Sequence, residues 1–245
     1  MKKMHFLKSA TFSLILSVLI IASYSCSSDD NDSNDDNLLV KLEQDRYNEI
    51  VTPAMEDVLL NKLQATIYRG VNPPNIEGFY RAHILCEKST IDGDAMLNTY
   101  PVDHKMKFYN LQGLNIDMES HEVIVNTDFL RAKHESEGTF ISGEGDNFTI
   151  FLDEKISSPG RDHIFFTVLS GQLDRDNEGK IIGIKNHEYV IIMKENYGNS
   201  TLIPIGEGRL FTDKYVKVIS ETEYNQTKKS TESISSSLTI GNYIQ

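Results

Sequence analysis

The sequence predicts a mainly β fold, an antiparallel β-barrel preceded by an N-terminal α-helix. After Gly70 the apolar residues recur with a period of two, in short segments rich in β-branched and aromatic residues. Those segments are separated by brief turn-forming stretches such as Asp92-Gly93, Ser157 to Gly160, Asp174 to Gly179 and Asn196 to Asn199. Connections this short leave no room for the helical crossovers that parallel strands require. The one stretch with a clear helical period lies before Gly70 and carries a single apolar stripe.

Taken in order, residues 1–25 read as a secretory signal. Lys2, Lys3 and Lys8 precede the apolar run Ala10 to Ala22, and small and polar residues follow up to Ser25. The apolar run holds about 13 residues, and a membrane-spanning helix needs roughly 20. Ser23-Tyr24-Ser25-Cys26 resembles a lipobox, the site at which lipoprotein signal peptidase cuts before an acylated cysteine. The resemblance implies lipidation of Cys26 and attachment to a membrane through that lipid. Residues 26–37 contain Asp29, Asp30, Asp32, Asp35 and Asp36 among serines and asparagines, a composition that predicts an extended, self-repelling tether. The run is similar to the acidic export signal that follows the lipidated cysteine in surface lipoproteins of Bacteroidetes. That similarity implies a protein in the outer membrane facing the cell exterior, with a periplasmic location as the alternative.

Residues 38–70 form the predicted helical segment. Thr52 is an N-cap candidate, Pro53 occupies the first helical position, and Met55, Val58, Leu59, Leu63 and Ile67 make one stripe ending at Gly70. Residues 71–220 form the predicted barrel. Its candidate strands are Gly78 to Cys86, Met106 to Leu111, Glu122 to Asn126, Gly138 to Ser142, Asn147 to Asp153, His163 to Gln172, Lys180 to Ile184, Tyr189 to Lys194, Thr201 to Ile205 and Gly208 to Thr212. Residues 221–245, rich in Ser, Thr and Lys, read as a loose polar tail.

The junction Ile67-Tyr68-Arg69-Gly70-Val71-Asn72-Pro73-Pro74-Asn75-Ile76-Glu77-Gly78-Phe79-Tyr80 resembles a PPNIEG-type segment in a group of Bacteroidetes surface-exposed lipoproteins of unassigned function. Ile141 to Ile150 and Leu202 to Gly206 look like further shared segments. The resemblance implies a lipocalin-like barrel behind an N-terminal helix. Independently of it, Pro73 and Pro74 force an extended approach, and Gly78 lets the backbone bend into the first strand.

Composition excludes some functions. Removing residues 1–25 takes away three lysines and no acid, moving the formal charge from −12 to −15. Phosphate backbones and anionic lipid would repel such a chain, so nucleic acid is not a predicted partner. Of the two cysteines, lipidation of Cys26 leaves Cys86 without an intramolecular partner, and its apolar surroundings read as burial.

Catalytic motifs are absent. Among His83, His104, His121, His134, His163 and His187 no pair has the H-E-x-x-H spacing, and no metal or cofactor is predicted. Asp174 to Gly179 copies half of a calcium loop, but Lys185 stands where the bidentate glutamate belongs, so a solvated hairpin tip is the better reading. Asp57, Asp103, Asp153 and Glu154 offer carboxylates for glycoside hydrolysis, a chemistry that depends on a separation the sequence does not give. The predicted function is therefore non-catalytic: a binding module for a small apolar ligand or glycan, with Phe79, Tyr109, Phe148, Phe165 and Tyr189 as candidate cavity residues. The alternative is a structural or interaction subunit with an envelope protein partner.

Overall fold

A computed structural model describes residues 32–156, 162–226 and 228–229. Helix α1 (Asp32–Ile50) is followed by the single turn α2 (Pro53–Glu56), which continues directly into a π-helical segment, Asp57–Lys62. Thr52 caps α2 by accepting a hydrogen bond from the Met55 amide at 3.3 Å, with Pro53 at the first position. The strands are β1 (Val71–Asn72), β2 (Gly78–His83), β3 (Leu85–Ser89), β4 (Asp103–Gln112), β5 (Asn115–Val123), β6 (Phe129–Glu144), β7 (Asn147–Ile156), β8 (His163–Arg175), β9 (Ile181–Glu195) and β10 (Gly208–Val218). A short helix α3 (Glu221–Asn225) and strand β11 (Lys228–Lys229) complete the described chain.

Eight strands close an antiparallel barrel. From β4 to β10 each strand pairs antiparallel with the next; β2 pairs with β4, and β10 returns to pair with β2 and β3. Closure leaves the ring no free edge to template another strand. At one end the connections are the tight turns 113–114, 145–146 and 176–180. At the other, among the described residues, they are the longer segments 90–102, 124–128 and 196–207.

Alternation sorts each strand between an interior and an exterior apolar cluster. On β7, Phe148, Ile150 and Leu152 enter the interior cluster, whereas Phe151 joins the exterior one. The exterior cluster lies over β6 to β10, where Tyr47, Val51, Val58, Leu59 and Leu63 cover Phe140, Phe151, Phe166, Val190 and Leu210. Phe140 stacks on Phe151 with ring centroids 4.8 Å apart, and Tyr47 meets Phe151 edge-on at 5.5 Å. The helical cover explains why β7 to β9 are apolar on both faces, although the sheet is antiparallel.

Several elements differ from the sequence-based expectation. The predicted helix Thr52 to Arg69 ends at Lys62. Gln64 adopts a left-handed φ of 53°, and the Lys88 ammonium donates to the Leu63 carbonyl at 2.9 Å, a cation at a helix C-terminus. Beyond it the chain runs extended because the barrel wall supplies acceptors: Glu188 takes the Thr66 amide at 2.6 Å and Thr149 Oγ1 takes the Tyr68 amide at 2.8 Å. Glu43 on α1 is buried; it accepts two 2.6 Å bonds from the Arg69 guanidinium and a third from Ser142 Oγ at 2.6 Å, pinning the helix and the extended segment to β6.

The acidic run expected to be extended is helical from Asp32 onward. Cys26, Asp29 and Asp30 lie outside the described residues. Lys180 to Ile184 and Tyr189 to Lys194 belong to one strand, β9, with Asn186 at φ 49° between them. Glu122 to Asn126 straddles the end of β5, whose body is the Asn115–Val123 segment. Thr201 to Ile205 is turn and loop, and β10 extends past Thr212 to Val218. The expected loose tail instead begins with α3, whose Tyr224 is buried and stacks on His121 at 4.7 Å. Lys105, fully buried beneath it, bonds the Glu223 carbonyl at 2.7 Å and pairs with Asp128 at 2.8 Å.

Replacing Leu59 or Leu63, both fully buried in the exterior cluster, with aspartate places an uncompensated charge between helix and barrel. Stability is expected to fall by about 3–5 kcal/mol. A thermal melt checks this; an unchanged midpoint would mean the helix does not cover the barrel.

Candidate functional site

The interior divides along the barrel axis. Toward the tight-turn end, Tyr80, Met106, Phe108, Ile116, Phe148 and Ile150 fill it. Toward the loop end a cavity of about 850 Å³ remains. Its walls are largely apolar, with Ile84, Ile156, Phe165, Ile191, Met193 and Phe211 from the strands and Ile91, Met96, Leu202 and Ile203 from the two long loops. Exposed Arg131, Ser200, Thr201 and Pro204 mark the mouth.

The mouth is held by polar contacts that fix segment 90–102. Asp94, buried, accepts bonds from the Arg209 guanidinium at 2.6 and 2.9 Å, from Ser89 Oγ at 2.6 Å and from the Met96 amide at 3.0 Å. Burial opposes its ionisation, but Arg209 and these donors outweigh it and hold the carboxyl below the usual range. Thr90 Oγ1 bonds the Glu207 carboxylate across to the β9–β10 connection. The backbone joins in, with Cys86 and Thr99 paired at 2.9 Å and Asn98 returning to Cys86 at 2.8 Å. The opening is therefore largely preformed.

Between cavity and packed core lies a polar layer built from the inward positions of successive strands: His104 on β4, Ser120 and Glu122 on β5, His134 on β6, Glu154 on β7, Thr167 on β8 and Tyr189 on β9. Glu154, almost wholly buried, accepts hydrogen bonds from Tyr189 OH at 2.7 Å, Thr167 Oγ1 at 2.8 Å and Ser120 Oγ at 3.5 Å. His134 Nδ1 stands 3.2 Å from Glu154 Oε1, the oxygen that Ser120 faces, and His134 Nε2 faces Glu122 Oε1 at 3.4 Å. The same Glu122 oxygen lies 3.7 Å from His104 Nε2. The edge of the His104 ring meets Tyr189 at a centroid distance of 4.7 Å.

Burial alone would strip the proton from His134, but the Glu154 and Glu122 carboxylates on either side raise its pKa to about 10. Burial likewise opposes ionisation of both acids; for Glu122 the two imidazoles, and for Glu154 chiefly His134 and Tyr189, reverse the effect and hold each carboxyl below its ordinary value. Burial first, and the charge of Glu154 second, push the Tyr189 phenol well above 10. The layer thus holds two carboxylates with the His134 imidazolium between them.

Of the five aromatics considered from sequence, Phe165 and Tyr189 line the cavity. Phe148 is buried in the packed half. Phe79 is outside, 5.4 Å from Tyr224, and Tyr109 bonds Glu119 at 3.0 Å beneath the Lys107 ammonium. Among the carboxylates weighed for hydrolysis, Asp57 pairs loosely with Lys62 on the π-helical segment, Asp103 binds Arg81 and His83, Asp153 binds Lys194, and Glu154 alone faces inward. They do not share a site. Asp174 pairs with Lys185 at 2.6 Å, and Asp176 accepts the Glu178 and Lys180 amides at 2.9 Å, the contacts of a hairpin tip. Among the described residues no group of three or more His, Cys, Asp or Glu is placed to hold a metal ion, and no helix is long and apolar enough to cross a membrane. Cys86 is fully buried, and burial first raises its thiol pKa to about 11, leaving it inert.

Sequence reasoning noted His104, His134 and Glu154 separately and did not join them. A signal was present: Glu154 continues the inward phase Phe148, Ile150, Leu152, and Glu122 continues Ile116, Met118 and Ser120. A charge on the apolar phase of a strand marks a polar interior. No family model, curated protein or solved structure matches the chain.

The polar layer makes stability depend on pH in both directions. Folded His134 keeps its proton to about pH 10, while the unfolded imidazole releases it near 6.5. Its contribution is complete below about 6.5 and is lost as pH rises toward 10. Burial holds His187, which faces Ser170, Asp213 and His104, and His121, which faces Lys133, Glu119 and Lys105, at about 4. Unfolding lets both bind protons below about 6.5, so stability also falls from there toward pH 4, and below about 4.5 the two glutamates, whose carboxyls are held low, extend the loss. Denaturant midpoints are expected to peak near pH 6.5. His134→Gln is expected to flatten the arm between 6.5 and 9.5; equal alkaline slopes in the two proteins would contradict the charge assignment.

Proposed function

We propose that the protein is a lipid-anchored lipoprotein of the bacterial outer surface whose barrel binds a small, mainly apolar molecule without transforming it. The observation that carries the binding reading is the cavity of about 850 Å³, apolar in its walls, polar at its floor and framed by hydrogen-bonded loops. Its volume lies in the range of small-molecule sites, roughly 300–1,000 Å³. An eight-stranded barrel is wide enough for one such ligand, the arrangement found in lipocalins. The lipocalin-like label and membership of the PPNIEG-type lipoprotein group rest on the sequence resemblance.

The address rests on sequence alone: the apolar signal, Cys26 and the acidic run from Asp29 to Asp36. A partner-binding role, the second reading, has one observation in its favour, since Leu38, Leu39, Val40 and Leu42 on α1 are exposed.

Two experiments test these readings. Medium-chain amphiphiles are expected to raise the melting temperature with concentration, because they bind only the folded state. Ala132→Trp, which fills the cavity from its wall, is expected to abolish that rise; a shift that survives the substitution would place binding elsewhere. For the anchor, Cys26→Ala is expected to eliminate incorporation of a fatty-acid analogue in growing cells. Label retained by the variant would remove lipidation at Cys26.

A further inference from the structure

The reading of the barrel as a small-molecule binder leaves open what kind of molecule, and the floor of the cavity narrows it. Its donors are engaged or shielded from the cavity. Tyr189 OH and Thr167 Oγ1 both donate to Glu154 Oε2, at 2.7 and 2.8 Å, His134 Nδ1 stands 3.2 Å from Glu154 Oε1, and His134 Nε2, without a hydrogen-bond partner, is buried. The acceptor that reaches the cavity is less well supplied. Glu122 retains 20% of its side-chain surface on the cavity wall. The nitrogens nearest its carboxylate stand at 3.4 Å (His134), 3.7 Å (His104) and 3.8 Å (Arg131). All are longer than the roughly 2.7–3.2 Å of a good N–H···O bond.

His104, on the same wall, points Nε2 at Glu122, and its Nδ1 is buried out of reach of the cavity. A floor whose reachable polar group is a carboxylate without a close donor favours a ligand that donates.

We propose that the barrel's ligand has an apolar body with a hydrogen-bond-donating head group, a hydroxyl or an ammonium, which is received by Glu122, and that the same floor rejects carboxylates. An alkyl alcohol places its O–H against the Glu122 oxygen, and an alkylammonium adds charge attraction to the same contact. A fatty-acid anion brings a third negative charge to a buried layer and offers no donor. The two arginines at the cavity do not offset this, because Arg209 is engaged by Asp94 and Arg131 faces Glu122 itself at 3.8 Å.

The test is calorimetric titration of the purified full-length chain at pH 7.5 with four compounds of equal chain length: 1-dodecanol, dodecylamine, 1-methoxydodecane and dodecanoate. Dodecanol and dodecylamine are expected to bind about tenfold or more tighter than the methyl ether, the value of one hydrogen bond, and tighter still than dodecanoate. Comparing dodecanol with dodecylamine separates the hydroxyl from the ammonium as the preferred head. Glu122→Gln is expected to cut the preference for dodecylamine over the ether about tenfold and to raise dodecanoate affinity. If that variant fails to fold, the ranking of the four compounds on the unaltered protein decides alone. Dodecanoate or the ether binding as tightly as dodecanol overturns the donor-head inference and leaves the apolar-ligand reading intact. Binding by none of the four overturns both.

Discussion

Inside the barrel the ionised carboxylate of Glu154 is almost completely withdrawn from water, and the polar interior is arranged around that fact. An isolated carboxylate in apolar surroundings is very costly, so it persists only where donors replace the lost hydration. Those donors come from Ser120, His134, Thr167 and Tyr189, on β5, β6, β8 and β9, with Glu154 itself on β7. One side chain therefore ties together five strands of the ring. Breaking any single bond leaves the charge under-solvated, which fixes the inward side chains on both sides of the layer and separates packed core from cavity.

Closure of the sheet gives that layer its setting. A closed meander leaves only two ends through which anything can enter, and in this protein they are built differently. Tight turns and interdigitated side chains from Tyr80 to Phe148 fill one end. At the other, the long loops stand over the mouth, and the Asp94–Arg209 pair joins the start of β10 to segment 90–102. Because that pair is buried and bidentate, it positions the loop more firmly than an exposed pair would. The α1 and π-helical cover works on the outside of the same strands, so β7, β8 and β9 are enclosed from both faces. They form the wall of the cavity from which Phe165, Tyr189, Ile191 and Met193 project.

Much of the β architecture was legible because a half-buried strand writes its geometry into alternate residues. Gly78 to Cys86 falls on β2 and β3, and Asn147 to Asp153 falls within β7. The same rule misled where apolar residues serve a loop: Leu202 and Ile203 are partly buried under the mouth without any strand pairing. It also concealed the length of β9, whose middle residues Lys185 and Asn186 are exposed and polar.

By itself the sequence determined the class of fold, the order of helix and strands, and the docking stripe of Val58, Leu59 and Leu63, since each depends on local periodicity and on the burial of apolar groups. Where the helix stops was decided by tertiary contacts, because Lys88, Thr149 and Glu188 offer the backbone after Lys62 better partners than another helical turn. The site itself was decided the same way. His104, Glu122, His134, Glu154 and Tyr189 are far apart in the chain, and their charges depend on one another only at distances near 3 Å. That separation is fixed by strand register and ring closure, neither of which is written in any local stretch of residues.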